Sequence, residues 1–170
     1  MCDTDLLAHE AMAAGTSVHH NIIRAFGRQV MAADGQIDRR ALARDVFDDV
    51  ARRARLERIV HPAVMRQVKR WIREQARSGV RMVAVLVPLL YEAHLERDWD
   101  AVICVVAPPQ RQRKWLVARG LGSRAVAARI AAQMPVAEKM VRAPYVVYNC
   151  GTSALLAEQV KRVIKSISGE

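Results

Sequence analysis

Apolar positions along this chain fall into two patterns, helical spacing and short unbroken runs, and the two alternate. Asp5 to Ala13 (DLLAHEAMA) has helical spacing after a capping-type acid, and Gly15 with Thr16 breaks it. Ser17 is expected to cap a second short helix, SVHHNIIRAF, in which Val18, Ile22, Ile23 and Phe26 share one side and Gly27 is the stop. His19 and His20 are adjacent, so they cannot form a helical metal pair, and both are read as surface. Ala33 to Gln36 reads as a turn, and Asp38 as the cap of a helix beginning RRALARDVF. A charged helix is expected over Asp48 to Ile59, then a break at His61-Pro62. The longest helix should follow, Pro62 to Ser78, with proline at its first position, Val64, Val68, Trp71, Ile72 and Ala76 on one face, and Gly79 as the stop.

The unbroken runs predict strands. RMVAVLVPLLYE is apolar from Met82 to Val87 and ends at Pro88, so it reads as a short strand buried on both faces, as in parallel sheets. Ala101 to Val106 (AVICVV) and Tyr145 to Tyr148 (YVVY) follow, each far enough along for a crossover. Such β/α units put reactive groups at the C-terminal ends of their strands, which is where Pro88 to Glu92 falls. Between the last two strands, Pro108-Pro109 opens a helix carrying Arg111, Arg113, Lys114 and Arg119, and Gly120 and Gly122 separate it from Ser123 to Met134. Ser153 should cap the final helix, ALLAEQVKRVIKSI.

A chain of 170 residues that is 52% apolar suits one compact domain. Its longest apolar stretch, Met82 to Tyr91, contains a proline and is well short of the ~20 residues that span a bilayer. The acidic N-terminus has no secretory pattern, and Cys2, Cys104 and Cys150 lack metal-type spacing, so a reducing cytoplasm is expected. The net charge of +10 changes the picture most, because it suits a nucleotide, a coenzyme or a nucleic acid, although arginine-rich solvated helix faces also produce it. Aromatic residues make up only 5% and are not interleaved with the arginines, which makes nucleic acid the less favoured partner.

Six segments, DTDLLAH, ADGQIDRRAL, His61-Pro62, VPLLYE, ARIAAQMP and YNCG, occur in an order and at spacings by which the chain resembles bacterial dephospho-coenzyme A kinase. That resemblance implies a P-loop kinase-like α/β fold: a three-layer α/β/α arrangement on a parallel sheet, with a helical coenzyme-side insertion at about 14–79 and a mobile lid at about 109–142. It also implies transfer of the ATP γ-phosphoryl to the ribose 3′-hydroxyl of dephospho-coenzyme A with Mg²⁺. Asp5 would be the base, and Asp3 a helper near substrate or Mg²⁺, since phosphoryl transfer asks mainly for positioning and charge neutralisation. Ordinary helix capping is the alternative for both acids.

Glu92, with Pro88 and Leu89, would contact the acceptor, and His61 would orient a substrate phosphate or make a local structural contact. Arg119, Arg129 and Arg113 would reach ATP phosphates from the lid, because guanidinium groups bind phosphate bidentately. Asn149 and Gly151 would lie against the adenine.

Two departures stand out. The family carries about thirty further N-terminal residues, a first strand with a GxxxxGK[ST] loop and its helix, and no GK[ST] occurs in this sequence. Without that cradle the chain as written is expected to be inactive, with Met1 an internal methionine of the second strand or the chain a non-catalytic remnant that binds coenzyme A. Trp115 stands where a lid arginine is common, with Arg113 or Lys114 as the nearest replacement. Neither pattern nor resemblance gives the oligomeric state.

Overall fold

The computed structural model describes residues 1–47 and 49–169. The chain divides into two compact units, 1–88 and 89–170.

In the first unit, strand β1 (Cys2–Asp3) runs parallel to β2 (Val85–Leu86), with Cys2 opposite Val85 and Asp3 opposite Leu86. Helices α1 (Thr4–Ala11), α2 (Ser17–Phe26), α3 (Arg39–Phe47) and α4 (Val50–Arg77) lie between them in sequence, and α1, α2 and α3 all pack on α4. The core of this unit is the predicted apolar side of α2 set against α4: Val18, Ile22 and Phe26 are buried, as are Val60, Ala63, Val64 and Val68.

Several expectations change here. The cap of α2 is Thr16 rather than Ser17: its hydroxyl accepts from the His19 N–H at 3.0 Å, while Ser17 already lies in the helix. His19 is buried rather than on the surface, because it shares the i, i+3, i+7 row with Ile22 and Phe26. Its Nε2 lies 2.9 Å from the Gly35 carbonyl, which can only accept, so that nitrogen carries the proton.

The break at His61-Pro62 is absent. Helix α4 continues through Pro62 for 28 residues from its cap Asp49; the expected start at Asp48 lies outside the described residues. Proline removes one backbone hydrogen bond there, and the buried row Val60, Ala63, Val64, Val68 holds the turns on both sides to the same neighbours. Gly79, at φ +77°, takes the left-handed turn that ends the helix.

The Met82 strand is shorter and less covered than its sequence suggests. Only Val85–Leu86 pair, and exposure alternates along the run, with Leu86 44% exposed, as in a strand covered on one face. Among the described residues its only ladder partner is β1, so little backbone enforces a longer strand.

In the second unit, β3 (Ile103–Val106) pairs in parallel with β4 (Tyr145–Tyr148) over four residues, Ile103 opposite Tyr145 and Val106 opposite Tyr148. Between them come α5 (Pro109–Ala118), α6 (Ser123–Ala131) and a helix that the sequence reading did not separate, α7 (Val136–Arg142), which starts after Pro135. Helix α8 (Ser153–Ser168) is capped by Thr152, one residue before the expected Ser153. No helix among the described residues is long and apolar enough to cross a membrane.

Candidate active site

Asp3 ends β1 and caps α1: its Oδ1 accepts the Asp5 N–H at 2.9 Å. The pairing of Asp3 with Leu86 therefore puts the two acids and Pro88 at the same end of a parallel ladder, the end where β/α proteins hold ligands. Between the acids, Thr4 is buried and donates its hydroxyl to the Leu86 carbonyl at 2.9 Å, which locks α1 to β2. Asp3 is half-buried and Asp5 exposed. His61 is half-buried in the middle of α4.

In the second unit, Glu92 is largely covered and paired. Its Oε1 is 2.8 Å from the Lys139 ammonium and accepts the Met134 N–H at 2.7 Å, and the two side chains are only 21% and 14% exposed. Burial alone would raise the Glu92 pKa; the hydrogen bonds from Lys139 and Met134 outweigh it and leave the group below its ordinary value. This carboxylate therefore ties Glu92 to α7 and to the connection between α6 and α7. Leu89 is an exposed turn residue.

Arg111, counted in the sequence only as part of a basic helix, is the organising arginine of α5. Its Nη1 donates to the carbonyls of Asn149 at 3.1 Å and Gly151 at 3.4 Å, and its guanidinium lies 5.7 Å from the centre of the Trp115 ring. So Asn149 and Gly151 are brought together with Trp115 through Arg111. Arg119 caps the end of α5 and lines an open hollow with Trp115 and Ala118. Arg113 and Arg129 are exposed on their helices. Arg111, Lys139 and the Met134 N–H are the site groups that sequence reasoning missed.

The family model described as Dephospho-CoA kinase matches residues 1–154. The chain belongs to the dephospho-CoA kinase family. A dephospho-CoA kinase of Anaeromyxobacter dehalogenans is 42% identical over 168 residues, covering 98% of this chain and 80% of the relative. Another, from Symbiobacterium thermophilum, is 40% identical and covers 98% and 70% respectively. Among solved structures, TT1252 from Thermus thermophilus superposes with a TM-score of 0.81 at 36% identity, covering 97% of this chain and 83% of that one. A dephospho-CoA kinase from Campylobacter jejuni shares the fold, with a TM-score of 0.65 at 22% identity and coverage of 99% and 85%. As a member of this family the chain is an ATP-dependent kinase by type, a transferase of coenzyme A biosynthesis.

Proposed function

We propose that these residues form the acceptor and lid portions of a cytoplasmic kinase that transfers the ATP γ-phosphoryl to the 3′-hydroxyl of dephospho-CoA, on a P-loop kinase-like architecture. The observation that carries the reading is the pair Asp3 and Asp5 at the C-terminal end of the β1–β2 ladder. Asp5, the exposed acid, accepts the proton of the attacking hydroxyl. Asp3, fixed by its own hydrogen bond, positions Asp5 and adds negative charge where a cation would sit.

Hard oxygen donors at a strand end suit Mg²⁺, which takes one or two carboxylates and completes its shell with phosphate oxygens and water. When bound, the ion would neutralise charge on the transferring phosphoryl group. Arg119 with Trp115, and Arg111 with Asn149 and Gly151, form the nucleotide side; Arg113 and Arg129 are mobile-lid cations; Glu92 in the second unit and His61 in the first are each assigned to the acceptor.

The 170 residues contain no GxxxxGK[ST] cradle. Transfer by them alone is therefore expected to be absent, because arginines do not replace its backbone amides, lysine and hydroxyl together. The test supplies a Gly-rich phosphate loop and its strand ahead of Met1 and follows ATP-dependent phosphorylation of dephospho-CoA. Activity should appear and fall about 10²- to 10⁴-fold in Asp5→Ala. An inactive extended protein, or an unchanged rate in Asp5→Ala, would sink this assignment.

A further inference from the structure

At the other end of α1 from Asp3 and Asp5, a hollow of about 460 Å³ opens between the start of α2 and the middle of α4. Its floor is small and apolar: Ala11, Val18 and Ala63 are all buried. Along its rim run Arg66, Lys69, Arg70 and Arg73 of α4. The spacing i, i+3, i+4, i+7 puts these four cations on one side of the helix, over about 10 Å of its length. Glu74 is the one acid among residues 66 to 77, and it sits 3.9 Å from Arg70 with both side chains exposed, a pair that contributes little. On the facing wall is the start of α2, whose first-turn N–H groups have no helical acceptor. The Thr16 hydroxyl is already spent, accepting from His19 and donating to Ala11 at 2.6 Å, so it fixes the wall rather than serving a ligand.

An apolar floor under a cationic rim selects for a molecule with both characters. We propose that this hollow binds an organic phosphate, with its apolar body on Ala11, Val18 and Ala63 and its phosphate on the arginine rim. Guanidinium groups in adjacent turns engage phosphate oxygens by charge-assisted hydrogen bonds, and the apolar floor excludes water from the body of the ligand. Such a phosphate belongs either to a remote part of the acceptor or to a separate phosphorylated metabolite. The hollow lies at the opposite end of α1 from the acids, so binding there can be read without following phosphoryl transfer.

Calorimetry on the chain with hexyl phosphate as probe tests it, with inorganic phosphate, dephospho-CoA and a single-stranded oligonucleotide as comparators. Hexyl phosphate should bind more tightly than inorganic phosphate and lose at least tenfold in affinity in the surface variant R66A/R70A/R73A, whose fold is checked by circular dichroism. If dephospho-CoA loses affinity in parallel, the acceptor is the source of the phosphate; if dephospho-CoA binds unchanged while hexyl phosphate weakens, the ligand is a separate one. Equal binding of hexyl and inorganic phosphate, unchanged affinity in the triple variant, or an oligonucleotide that binds more tightly than hexyl phosphate would each overturn the proposal. None of these readouts measures phosphoryl transfer, so a failed kinase assay leaves this result standing.

Discussion

Lys139 and Glu92 meet at 2.8 Å with both side chains largely covered, and the same carboxylate oxygen receives the Met134 N–H. Removing the carboxylate takes a charged partner from a largely covered ammonium and the acceptor from the Met134 N–H. Glu92→Gln is expected to cost about 1–3 kcal/mol by urea denaturation, and Lys139→Met a similar amount.

The same contact sets a pH dependence. Because the fold holds Glu92 below its ordinary value of 4.5, its contribution is present above that value and is lost as pH falls through the lower, folded value. Asp38 behaves alike: its carboxylate accepts from the Ala41 and Arg40 N–H groups at 3.0 and 2.9 Å, which lowers its pKa from 3.8. Thermal midpoints should therefore drop as the pH falls below the ordinary carboxylate range, and less steeply in a Glu92→Gln, Asp38→Asn double variant.

Pro62 occupies an interior turn of α4, where it lacks the N–H that would bond the Arg58 carbonyl. Pro62→Ala should raise stability by about 1–3 kcal/mol in chemical denaturation, because it restores that bond at a position already helical. A loss of stability would mean that the ring itself is packed.

Burial pushes up the pKa of both the Cys2 and Cys104 thiols, with the N-terminal amino group offsetting part of the effect for the first and Lys139 for the second, while Cys150 is exposed. A chromogenic disulfide reagent at pH 7.5 should label Cys150 first and the other two at least tenfold more slowly. Lys139→Met should slow Cys104 further.

Gly151 faces Leu155, whose Cδ1 would lie 3.0 Å from an added Cβ. That atom ends a flexible side chain, so Gly151→Ala should cost under about 1 kcal/mol by denaturation. Arg111→Ala should cost more, because it frees two carbonyls and one face of Trp115, and tryptophan fluorescence should report the change.

Local chemistry was the part of this molecule that could be read from sequence. The YVVY strand falls where its β-branched run puts it, and the helix of SVHHNIIRAF stops at Gly27 as expected. Both caps shift by one residue because Thr-Ser pairs offer two hydroxyls, and the first is the one left in extended backbone. Packing overrode pattern at His61-Pro62, where proline predicts a break that a shared buried face prevents. At the site, Asp3 and Asp5 could be placed because strand, cap and helix are contiguous. The bonds of Arg111 to Asn149 and of Met134 to Glu92 join residues 38 and 42 positions apart, and no local pattern encodes such pairs.

The proline in α4 has one further effect, on hydrogen exchange. With no amide at position 62, the Arg58 carbonyl lacks its usual helical donor and the ladder is thinnest in that turn. Amides on either side should therefore lose protection in separate steps, so that a single 28-residue rod breathes as two segments joined at Pro62.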